Sequence, residues 1–134
     1  MKAKRFQPQV IGQMIGLVAQ YLLGMLTNLY VTFPKTNSVG QRWEFARSQV
    51  LVMAHIVLGT LIFLGAIALI IRAYKSRERI WKISAGIGLV SITLAWISGE
   101  EFISSQAAGY SLSMSLFFLV ALAAYGWGLY RSRA

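Results

Sequence analysis

The sequence predicts an all-α integral membrane protein, an up-down-up-down bundle of four membrane-spanning helices. Three observations predict it. Of 134 residues, 57% are hydrophobic and 13% charged, about half the charge of an average soluble domain. The apolar residues fall into four blocks, 10–33, 50–71, 83–99 and 107–130, each near the ~20 residues that span the hydrocarbon core. The Lys and Arg residues gather at the ends of those blocks, where lipid headgroups would meet them. Four spans and short connections leave room for one domain.

Residues 1–9 form a basic arm with Lys2, Lys4 and Arg5. The apolar run behind it is too long for a signal peptide and no Ala-x-Ala site closes it, so it reads as a retained first helix over about 10–32. Pro8 suits the first helical turn and Pro34 helps to stop the helix. Gln13, Gly16, Gln20, Gly24 and Asn28 recur at three- and four-residue steps. Such a stripe of amides and glycines should face other helices, because amides in lipid lack partners. Val18, Leu22, Leu26 and Leu29 lie opposite and suit lipid or further packing.

The connection 33–47 places Trp43 and Phe45 among charges, as expected of a segment on the membrane surface. A second span over about 49–72 carries His55, Gly59, Ile62 and Ala66 on one face. The basic loop 72–82 follows, with Tyr74 and Trp81 as interfacial anchors. A third span over about 82–101 carries a small-residue stripe, Ser84, Gly88, Ser91, Ala95 and Ser98, which lets a neighbouring backbone approach closely. It is expected to end at Gly99, Glu100 and Glu101. The fourth, about 108–130, opens with Tyr110, Ser111, Ser113, Met114 and Ser115.

Ten of the 13 Lys and Arg residues belong to the two chain ends and the 72–82 loop. Only Lys35, Arg42 and Arg47 belong to the opposite side. The positive-inside rule then puts both termini in the cytoplasm of a multi-pass cell-membrane protein.

The net charge of +9 does not indicate nucleic acid, because no basic stripe carries interleaved aromatics on a soluble face. Without cysteine there is no disulfide, thiolate metal site or thiol catalysis. No nucleophile–base pair, phosphate-binding glycine loop or second histidine points to an enzyme.

His55 is the one histidine, and it lies inside an apolar run that carries no charge until Arg72. An ionisable side chain there faces protein or a water-filled cavity. At the same depth stand Asn28, Ser98, Glu101, Ser111 and Met114, so a polar pocket is expected in the outer half of the bundle. Three readings follow. Haem b is the most specific cofactor, with His55 as axial ligand, a methionine such as Met25, Met53 or Met114 opposite, and electron transfer as its use. A metal or proton site would join His55 to Glu101, with Glu100 beside it as a further donor. In the third, the chain is an accessory or assembly subunit, in a homo-oligomer or larger membrane complex, with His55 bonded across helices as a purely structural group.

The segments NLYVTFP (28–34), HIVLG (55–59), SGEEF (98–102) and SLSMSLFFLVALAAYG (111–126) together resemble a group of small prokaryotic four-helix membrane proteins. The resemblance covers most of the chain. It implies the four-helix fold and singles out Asn28 and His55, but implies no substrate, cofactor or reaction. In that group the position after Ser-Gly is normally apolar or small; here it is Glu100-Glu101.

Overall fold

A computed structural model of the chain describes residues 6–76 and 78–132. Lys2, Lys4, Arg5, Arg77 and Arg133 of the charge argument lie outside them. The described residues form five helices and no strand: α1 (Gln7–Tyr30), α2 (Val39–Ser48), α3 (Val50–Lys75), α4 (Arg79–Ser105) and α5 (Ala108–Arg131). All but α2 are long and apolar enough to cross a membrane. Their outward faces carry Leu22, Leu29, Leu61, Val90, Leu112 and Leu119, all well exposed. Large apolar surface of this kind would be a liability in water and is the expected contact with lipid. The protein is a multi-pass membrane protein.

The four long helices form a square in which α1 touches α3 and α5, and α4 touches α3 and α5. The diagonal pairs share no backbone neighbours among the described residues. Adjacent helices run antiparallel, as the up-down-up-down pattern requires. The chain ends and the α3–α4 turn therefore share one end of the bundle, the terminal end; α2 and the α4–α5 turn form the distal end.

Along the α1–α3 seam, Gln13 Nε2 donates to the Ile62 carbonyl at 2.7 Å and Gln20 Nε2 to the His55 carbonyl at 2.9 Å. Glycines opposite make the room. A Cβ on Gly59 would stand 2.9 Å from Gln20 Nε2, and one on Gly65 would strike the Gln13 amide. The seam is thus a repeated clasp, in which each amide nitrogen donates across the helix pair inside the bundle.

The α4–α5 seam is closer still. The phenol end of Tyr125 occupies the space where Gly88 lacks a side chain, and Ser84 Oγ lies 2.5 Å from where a Gly128 Cβ would be. Ser84 donates to the Ala124 carbonyl at 2.7 Å. The small-residue stripe on α4 faces inward, with Ser84, Ser91 and Ser98 buried. The terminal half is filled by Phe6, Val10, Leu69, Trp81, Ala85 and Tyr125, and Phe6 and Trp81 meet ring to ring at 4.6 Å.

One expectation is corrected and one is given a form. The connection after α1 holds a ten-residue helix, α2, which ends one residue past the expected 33–47 segment. Ser38 caps it by accepting from Gln41 N–H, and Ala46 packs with Val52 and Ile103. The third span does not end at Gly99–Glu101. It continues another turn to Ser105 and stops where Gln106 adopts the left-handed conformation (φ 58°, ψ 18°), its N–H returned to the Phe102 carbonyl at 2.7 Å. This is the helix stop usually made by glycine.

Candidate functional site

The distal half is hollow. A cavity of about 400 Å³ lies between α1, α3, α4 and α5, with α2 over its end. That size is in the range of small-molecule and cofactor sites. Leu17, Ile62 and Ile92 form its floor, at the edge of the packed half. Its walls are mostly apolar and aromatic, including Tyr21, Phe33, Trp43, Trp96, Phe102 and Phe118. Trp96 stacks on Phe63 and Tyr21 on Phe118.

His55 lines this cavity, held from α1. Its ring packs on the α1 backbone where Gly24 lacks a side chain; a Cβ there would lie 3.0 Å from Cε1 and 3.5 Å from Nδ1. Its backbone carbonyl accepts from Gln20, but its Nδ1 is buried without a hydrogen-bond partner. This differs from the cross-helix bond that a structural histidine would make to Asn28, a serine or a carbonyl. Gln20 Oε1, on the adjoining helix, is likewise buried and unpartnered. Two orphaned polar atoms thus stand beside one apolar hollow, each costing about 1–3 kcal/mol unless something bonds it.

Of the residues singled out from sequence, His55, Asn28, Ser111 and Met114 line the cavity. Ser98 does not; it is buried on the small-residue face of α4, one side away. Glu101 does not either. The cavity follows the face of α4 carrying Ile92, Ala95, Trp96, Gly99, Glu100 and Ile103, so of the two glutamates Glu100 lines it. The two residues are successive, hence about 100° apart around the helix. Among the described residues no three of His, Cys, Asp and Glu come together; His55 and Glu100 line the same cavity and Glu101 does not.

Met114 stands beside Gly99 on α5, its sulfur 3.2 Å from where a Gly99 Cβ would be. It reaches the cavity from the helix diagonal to that of His55. The residues missed from sequence are Gln20 as a wall group, Thr27, Trp43 and Trp96. Ser38 and Gln41, a Ser-x-x-Gln pattern that starts helices, were the signal for α2, which brings Trp43 over the cavity. Trp96 and Glu100, four residues apart, were the signal for the true cavity face of α4.

None of the protein families, curated proteins or solved structures compared with the chain matches it. The functional reading rests on the geometry.

Proposed function

We propose that the chain is a non-catalytic, membrane-embedded binding protein whose distal cavity holds an apolar ligand or cofactor, with His55 as its polar contact. The observation that supports this reading is the pair of buried, unpartnered atoms, His55 Nδ1 and Gln20 Oε1, beside the hollow. Trp81 Nε1 and Tyr125 OH are also unpartnered in the packed half; what sets His55 and Gln20 apart is that both residues line the cavity. By the positive-inside rule the terminal end faces the cytoplasm and the cavity opens toward the outer face of the cell membrane.

Haem b is the most specific candidate. It needs an imidazole at an apolar slot, and the aromatic walls suit the macrocycle. Met114 supplies a thioether from the opposite corner of the square. His–Met pairs are a known axial set that raises the reduction potential, which fits electron transfer.

The purified protein tests this directly. Addition of haemin should give a Soret band that shifts on reduction with dithionite and is lost or weakened in His55→Ala. A spectrum without that band, before and after haemin, eliminates haem. Orientation is tested by single cysteines at Asn37 and Lys75, both exposed; Ser76 is unsuitable because it is buried and bonded to the Ala73 carbonyl. The Asn37→Cys protein should react with an impermeant thiol reagent in intact cells and the Lys75→Cys protein should not. The reverse would place the cavity on the cytoplasmic side.

A further inference from the structure

A second recess adjoins the cavity at the distal end. It has a volume of about 290 Å³ and is lined by Phe33, Pro34, Lys35, Thr36, Asn37, Arg42 and Gln106. Phe33 is a wall of both spaces. Arg42 and Trp43 are consecutive on α2, one facing the recess and the other the cavity. The two spaces therefore sit side by side around one phenyl ring, and they differ in chemistry. The larger is apolar and aromatic; the smaller is lined by two cations and two side-chain amides.

Arg42 is fixed in place. Its guanidinium donates to the Thr36 carbonyl at 2.6 Å and to the Ser104 carbonyl near the end of α4, while Nε is buried with no partner. Both of these partners are neutral carbonyls. The arginine is thus positioned in the recess with no carboxylate partner shown among the described residues, beside an exposed Lys35. Arginine in a fixed fork, next to a lysine, is the usual recognition chemistry for a carboxylate or phosphate oxyanion.

We infer that the ligand of the cavity is an anionic amphiphile: its apolar body fills the hollow beside His55, and its oxyanion passes Phe33 to sit on Lys35 and Arg42. The inference rests on the cavity reading and specifies the charge of what enters. A fatty acyl carboxylate and a porphyrin carboxylate share this chemistry and differ in the shape of the apolar body.

Trp43 and Trp96 line the cavity, so tryptophan quenching reads occupancy. The full chain in a non-ionic detergent is titrated with dibromostearic acid and its methyl ester, and with haemin and its dimethyl ester. Quenching of free N-acetyltryptophanamide in the same detergent defines the signal due to micelle partition alone. For at least one pair the acid should bind on the order of tenfold more tightly than the ester, the scale of one charge-assisted hydrogen bond. Lys35→Gln and Arg42→Gln should each reduce that preference and leave ester binding unchanged. Lys35 makes the test independent of folding, because its side chain is exposed, whereas Arg42 also ties α2 to α4. The pair that shows the preference tells a chain-like from a flat ligand. Saturable binding in which acid and ester are equal, or in which Lys35→Gln keeps the full preference, overturns the inference and leaves the cavity reading standing. No saturable quenching by any of the four probes overturns both.

Discussion

The two halves of the bundle are built from the same helices and solve opposite problems. In the terminal half, glycine and serine on α4 and α5 draw the backbones together, and Tyr125, Trp81 and Phe6 fill what is left. In the distal half the same helices carry Ala95, Gly99, Ser111 and Ser115, but no large side chain occupies the middle; the aromatics stand around the rim. Small residues close one half because a ring is available to fill each hole, and they open the other because none is. A small-residue stripe therefore specifies close approach only together with what stands opposite it.

Substitutions should separate the halves. The largest effect is expected for Gly88→Leu, where the added side chain must displace the Tyr125 ring in a seam with no slack. Overpacking of this kind costs about 3 kcal/mol or more, to be read as a fall in thermal midpoint in detergent. Retention of wild-type stability would mean that the α4–α5 seam is looser than described. Gln13→Ala comes next, losing a buried cross-helix hydrogen bond for about 1 kcal/mol. Gln20→Ala should cost less than half of that, because it removes one bond and also an unpartnered buried oxygen. Equal costs for the two glutamines would argue that Gln20 is as fully bonded as Gln13. His55→Ala should change stability least, within about 0.5 kcal/mol, since it breaks no side-chain hydrogen bond and removes an orphaned nitrogen. A large loss on that substitution would identify His55 as a structural group and remove it from the site.

The fold was legible in the sequence because lipid makes the signal coarse. Four apolar blocks and the position of their charges suffice where every backbone group must be satisfied within a helix. The inward stripes on α1 and α4 were legible for the same reason. The site was only partly so. His55, Asn28, Ser111 and Met114 were identified by depth, which sequence gives through the rise per residue. Ser98 and Glu101 lie at that depth but off the cavity lining, because depth does not fix azimuth. The stripe of smallest side chains marks where α5 packs, whereas the cavity follows the neighbouring face through Trp96 and Glu100. No periodicity distinguishes a face that is packed from one that is left open. The roof was missed because α2, at ten residues, is too short and too polar to stand out from a connection.

The central claim is that the distal half is hollow for a ligand rather than merely loose. Ala95→Phe tests it most directly, since Ala95 lines the cavity and its neighbour Trp96 already stacks on Phe63. Thermal unfolding and haemin or dibromostearate uptake are measured on the same sample. The filled protein should unfold at the wild-type temperature or above it, because apolar volume enters a void at little strain, and uptake should fall to the level of micelle partition. A protein destabilised as severely as Gly88→Leu, or one that still takes up the probes to saturation, would contradict the claim.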